Sequence, residues 1–235
     1  VVNASGVDRT AVLANFKIEH GRATGPADWD KRGAGILADD GSPNLRYLFF
    51  VNNVSYGNNS GGGGLCVYNG GSPIVFSCFF LGNSAHWGGA VKLSQGSSAA
   101  FLNVVMAHNY GTRGGALALV DSNASIVHST IADNNATAGG GLEIRNGAFL
   151  ALSNSIVWDN QAAHAHNGPN LNTSGTFTGF IDTNRTVIQG GDGDLADADP
   201  QFVDPSRFDF RLRIGSPMIN QGNPAKVGSL PWDLS

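Results

Sequence analysis

The stretch Gly88–Leu93, GGAVKL, decides how the chain is read. Two adjacent glycines allow a turn that other residues resist. The residues that follow alternate, so Val91 and Leu93 go to one side of a strand and Lys92 to the other. The same pattern returns as GGGLCV from Gly62, GGALAL from Gly114 and GGGLEI from Gly139, with a degenerate copy, GAGILA, from Gly33. The four full copies start 26, 26 and 25 residues apart. The expected inward pairs are Leu65/Val67, Val91/Leu93, Leu117/Leu119 and Leu142/Ile144. The expected outward column is Cys66, Lys92, Ala118 and Glu143.

A second series runs in phase with the first. FVNN, FLGN, MAHN, IADN and VWDN end at Asn53, Asn83, Asn109, Asn134 and Asn160. Short strands and glycine turns repeating at this period mean a solenoid, each coil burying its apolar face on its neighbours. The segments between the glycines are rich in Val, Ile, Leu and Phe and carry no amphipathic helical period, which selects a parallel β-helix. The expected architecture is all-β, with about six to seven coils over residues 1–196, most regular over 33–160. A closing segment, 197–235, then caps the C-terminal end. AVLANFKIEH (11–20) reads as a strand of the first coil. The repeated asparagines fall at bends, where backbone groups leave the sheet ladder and need other partners. At about 4.8 Å between coils, identical Asn side chains can also bond one another as a ladder.

Composition narrows the function classes. The 235 residues include 33 glycines, and only 14% are charged against 41% hydrophobic, which suits a folded, turn-rich chain better than a disordered one. A net charge of −4 gives no basic footprint for nucleic acid. No apolar run is long enough for a membrane-spanning segment. Cys66 and Cys78 are too few for a disulfide framework, and whether they pair stays open.

GGA followed by an aliphatic residue, alternating with FxxN, resembles the repeat signature of chlamydial-type polymorphic outer membrane proteins and related bacterial surface proteins. The resemblance covers about residues 33–160. The segment DADPQFVDPSRFDFRLRIGSPMINQGNP (197–224) is similar to the closing segment of many secreted right-handed β-helix proteins. The resemblance implies a right-handed, pectate-lyase-like coil and an extracellular or cell-surface location. It supplies no active site, because this fold carries adhesins, lyases, hydrolases and inert scaffolds. The chain opens on VVNASG and stops at LPWDLS, as a fragment or processed product would.

Four features carry candidate chemistry. The residues before the ladder asparagines form a column, Asn52, Gly82, His108, Asp133 and Asp159. Asp133 and Asp159 on adjacent coils could work as acid and base, with His108 as a third member and Trp158 holding a sugar. The plainer reading makes them ordinary turn residues. Second, Lys92, Glu143 and Arg145 lie on one outward face, where cations and a base would suit an acidic sugar; the plainer reading is a solvated face. Third, Asp192, Asp194, Asp197 and Asp199 alternate with glycine and small residues as a calcium loop does, though not as an EF-hand. His164 and His166 form a weaker metal pair. Fourth, adjacent apolar residues in SCFFL, NVVMA and NSIVW leave one set facing out or covered by a loop.

The expected function is a secreted or cell-surface module with a structural, adhesive or self-associating role. It requires no cofactor and meets itself, other surface proteins or polysaccharide. The alternative is a polysaccharide lyase or glycoside hydrolase working through Asp133 and Asp159.

Overall fold

A computed structural model describes residues 1–164 and 168–226. The described chain winds into a parallel solenoid with four walls. The first wall joins Val2–Asn3, Ile36–Asp39, Leu65–Tyr68, Val91–Ser94, Leu117–Val120, Leu142–Arg145 and Leu171–Ser174 in that order. The second runs from Val12–Ala14 to Phe180–Asn184 and the third from Lys17–Glu19 to Val187–Ile188, seven strands each. The fourth has six, from Arg22–Ala23 to Gln161–Ala162. No helix among the described residues is long and apolar enough to cross a membrane.

The repeats fall in register. Leu65, Val91, Leu117 and Leu142 pair in sequence across the first wall. All four expected inward pairs lie in the core. The third wall supplies a second buried column, Phe50, Phe80, Met106, Ile131, Val157 and Ile188. Phe50 and Phe80 stack there, with centroids 4.3 Å apart and rings within 2° of parallel. Cys66 and Cys78 are free and buried, and burial raises their thiols to about 11 and about 12.

The two glycines of each pair do different work. The first, at 33, 62, 88, 114 and 139, takes a left-handed turn with φ between 60° and 69°. The second meets the backbone of a neighbouring coil. A Cβ on Gly89 would lie 2.3 Å from the Gly115 carbonyl oxygen. One glycine is needed for its angle and the other for its lack of volume.

Two stretches depart from expectation. AVLANFKIEH is two strands, Val12–Ala14 and Lys17–Glu19, because the chain turns left-handed at Asn15 (φ 62°) and passes from the second wall to the third. The closing segment, expected over the end of the coil, forms an antiparallel hairpin of Phe202–Asp204 and Asp209–Leu212. Phe208 in that hairpin reaches the His108 ring, 4.9 Å between centroids, so the hairpin lies along the side wall. Asn223 then bonds Asn154 and Asn184 at the bends of the last coils. The hairpin explains part of the doubled apolar pattern. Ala107 and Ala132 face outward from the third wall yet are buried, and Ala132 lines a cavity with hairpin residues. Toward the N-terminal coils the same outer face stays open, with Phe49 44% exposed.

Candidate functional site

The asparagine ladder is continuous and buried. The side-chain amide of Asn53 donates to Asn83 Oδ1 (2.9 Å), Asn83 to Asn109 (3.0 Å), Asn109 to Asn134 (2.9 Å) and Asn134 to Asn160 (2.8 Å). Each backbone N–H from Asn53 to Asn134 donates to the same Oδ1. The ladder goes one rung further than the repeat predicts, to Asn170, which accepts from Asn160 Nδ2 at 2.8 Å. Asn170 follows Asn160 by only ten residues, so the period hides it. These asparagines satisfy the bend and carry no chemistry outward.

The column beside the ladder is a column of left-handed residues. Asn52, Gly82, His108, Asp133 and Asp159 all have φ between 52° and 65°. Asn, Gly, Asp and His tolerate that angle, which accounts for the residue types without any catalytic role. The side chains of the last three nevertheless meet. His108 Nε2 lies 3.9 Å from Asp133 Oδ2 and 3.2 Å from the Pro205 carbonyl oxygen. Asp133, Trp158 and Asp159 line a cavity of about 380 Å³ closed on the far side by Asp199, Phe202 and Arg213. Burial raises the Asp133 carboxyl above its usual 3.8, His108 opposes the shift, and the Asp159 carboxylate adds to it. A carboxyl that holds its proton more tightly when folded makes the protein less stable as pH rises through that group's titration. Asp133→Asn, which keeps the favourable turn residue and removes the titration, should flatten the pH dependence of the melting temperature above pH 4. Melting curves of both proteins from pH 3 to 7 check this; parallel curves would remove Asp133 from the account.

The acids proposed for calcium are used locally. Asp194 accepts from the Arg185 and Thr186 backbone N–H groups (2.6 and 2.7 Å), Asp197 from Gly190 (3.0 Å) and Asp199 from Gln201 (2.8 Å). Among the described residues, Asp192 and these three belong to no group of three or more acids, histidines or cysteines that could hold a metal. His164 is described, and its expected partner His166 lies outside the described residues.

The outer face of the first wall departs most from the expected solvated surface. The column Cys66, Lys92, Ala118 and Glu143 does face outward in register. Yet Cys66, Ala118 and Glu143 are fully buried. Glu143 is therefore no surface ligand for a substrate. It sits under Arg113 (Nη1 to Oε1, 3.4 Å) and accepts from Asn172 Nδ2 at 2.5 Å and from the Ser174 hydroxyl. The cover comes from the corner where the fourth wall turns into the first. There Arg32, Gly61, Trp87, Arg113 and Ala138 pair in one column, each just before the first glycine of a repeat. Gly61 leaves room for Lys92, whose Cδ would lie 2.2 Å from a Cβ at that position.

Three cations gather on one indole. Arg145, Arg113 and Lys92 lie 5.2, 5.3 and 5.8 Å from the Trp87 ring centroid. Arg32 lies 4.5 Å from the Tyr68 ring, farther along the same face. Burial first, then Arg113 and Lys92, lower the His86 pKa below 6.5, so the histidine beside Trp87 adds little charge of its own. One cavity of about 450 Å³ is lined by Arg32, Trp87, Lys92 and Arg145, and another of about 510 Å³ by Arg113, Arg145, Asn172 and Ser174. Arg145 lines both. Lys92 and Arg145 both line the first of these cavities. Arg32, Trp87 and Arg113 each stand immediately before a glycine of the repeat, and their differing chemistry hides the shared position from a search for recurring residues.

No curated protein and no solved structure matches this sequence. Residues 2–179 match the family model described as "Right handed beta helix region". With more than half its length matched and its strands wound in parallel register, the chain belongs to the right-handed β-helix family.

Proposed function

We propose that this β-helix is a secreted or cell-surface adhesive module that holds anionic polysaccharide along the outer face of its first wall. The cluster of Lys92, Arg113 and Arg145 around Trp87 carries this reading. A chain with net charge −4 has gathered three of its 14 Lys and Arg residues around one indole. Cation–π contact holds the Arg113 and Arg145 guanidiniums over the ring, and positive charge gathered there suits an anion. Parallel strands about 4.8 Å apart offer repeated contacts along an extended polymer. The exposed Phe49 on the third wall supports a self-associating role for the same module.

Retention on immobilised polygalacturonate, dextran sulfate and neutral dextran tests the reading. Acidic polymers should bind, dextran should not, and affinity should fall as salt rises. A Lys92→Gln/Arg113→Gln/Arg145→Gln variant should lose at least about tenfold in affinity. Equal binding by that variant, or no binding of any acidic polymer, overturns it.

A second reading, hydrolysis or lyase chemistry at Asp133 and Asp159, is favoured by the raised pKa of Asp133 in its cavity beside Trp158. New reducing ends or unsaturated uronates, abolished by Asp159→Asn, would support it. Absence of product over a broad panel of polysaccharides would end it.

A further inference from the structure

We infer that the hairpin 202–212 is a strap that lifts from the third wall and so governs access to Asp133 and Trp158, with His108 as its latch. The inference goes beyond the adhesive reading, because it concerns another wall and holds whatever the first wall binds.

The segment that carries the hairpin is anchored at its ends. On one side Asp194 accepts from the Arg185 and Thr186 backbone N–H groups, and the Leu195 N–H donates to the Thr186 carbonyl at 3.1 Å. On the other side Asn223 bonds Asn154 and Asn184. Between these anchors, among the described residues, one hydrogen bond joins residues 198–222 to the coils. It runs from His108 Nε2 to the Pro205 carbonyl oxygen at 3.2 Å. The same carbonyl accepts from the Phe208 N–H at 3.0 Å, so the histidine grips the hairpin at its turn. Phe208 makes a T-shaped contact with the His108 ring, and Phe210 lies 6.3 Å from it. Ile214, just past the hairpin, is fully exposed.

Two properties let this strap lift. A two-stranded hairpin is marginal in water by itself. This one pairs only at Phe202–Leu212 and Asp204–Asp209, with an irregular register between, and its turn holds Phe208 at φ 61°, an angle that bulky residues resist. Its order therefore comes from docking. Beneath it, Asp133, Asp199 and Arg213 line the cavity of about 380 Å³ together with Trp158 and Phe202. Charged groups gain from hydration, so lifting the hairpin returns water to them and offsets the apolar contact that is lost.

Amide hydrogen exchange read by mass spectrometry tests this on the full chain, with carbodiimide and glycine ethyl ester as a probe of carboxyl access. The hydrogen-bonded amides of 202–212 should exchange at least about a hundredfold faster than those of Leu117–Val120 in the core wall. Two variants loosen the latch. His108→Asn removes the ring and keeps a residue suited to the left-handed bend, as Asn52 is in the same column. Phe208→Gly removes the facing ring and relieves the turn angle, which alone would slow exchange. Each should instead speed exchange of 202–212 about fivefold or more and leave Leu117–Val120 unchanged. Labelling of Asp133 should rise about twofold or more in both, with the already exposed Asp159 as internal control. The double variant should exchange no more than about twofold faster than His108→Asn, since both changes remove one contact. If His108→Asn also loses protection in the coil, Phe208→Gly, which lies outside the coil, decides. Wild-type exchange of 202–212 as slow as that of the coil overturns the strap. So do variants that leave that exchange unchanged, or Asp133 labelling that stays constant while it rises.

Discussion

Asn109→Ala should destabilise the protein by about 4 kcal/mol and lower its melting temperature by roughly 10 °C. The substitution removes one side chain and leaves several groups unmet. Asn109 Oδ1 accepts from the Asn83 backbone N–H (2.9 Å) and from Asn83 Nδ2 (3.0 Å). Its Nδ2 donates to the Phe80 carbonyl and to Asn134 Oδ1, both at 2.9 Å. Asn83, Asn109 and Asn134 are at most 1% exposed, so water does not replace these bonds. Each orphaned buried group costs about 1–3 kcal/mol, against a total stability of roughly 5–15 kcal/mol for a typical domain. The exposed Asn123→Ala is the control, with an expected change within about 0.5 kcal/mol. Chemical denaturation of the two variants checks the contrast, and equal losses would deny the ladder its structural role.

Gly115→Ala should be comparably damaging for a different reason. A Cβ there would lie 2.1 Å from the Gly140 carbonyl oxygen and 2.8 Å from that of Asn135. Both are backbone atoms of the next coil, so no side chain can swing aside. The coils must separate locally, which costs about 3 kcal/mol or more and opens the ladder at its centre. Gly96→Ala isolates the contribution of angle alone. Gly96 has φ 73° with nothing within 4 Å of its missing Cβ, so the loss there should be about 1–2 kcal/mol. Denaturant titration of the pair ranks volume against angle, and a Gly115→Ala protein as stable as Gly96→Ala would refute the close approach between coils.

The same contrast shows why so much of the fold was legible. A solenoid repeats one solution to one local problem, so its inward residues, left-handed glycines and bend asparagines recur in the sequence as they recur in space. Val91, Leu93 and the rungs from Asn53 to Asn160 could be placed by counting. Counting failed where a coil was irregular, as at Asn170, and where the chain leaves the coil, as in the hairpin that reaches His108 and the cavity beside Ala132.

The candidate site was only half readable. Alternation gives the direction in which Glu143 leaves its strand, but not that Arg113 from the corner of the neighbouring coil lies over it. That information lay one residue ahead of the first glycine of a repeat, in Arg32, Trp87 and Arg113, whose chemistry does not repeat although their position does. The Asp133–Asp159 column was located from the sequence. Its positive φ values explain the residue types, and the closure of its cavity by Phe202 and Arg213 depends on a hairpin with no counterpart in the repeat.

Trp87 and Trp158 are both half-buried and mark the two competing surfaces. Hydroxyl-radical footprinting with and without polygalacturonate therefore tests the central claim most directly. Ligand held along the first wall should protect Trp87 from oxidation and leave Trp158 unchanged. Protection of Trp158 alone, or of neither tryptophan under conditions where the polymer binds, would contradict the claim.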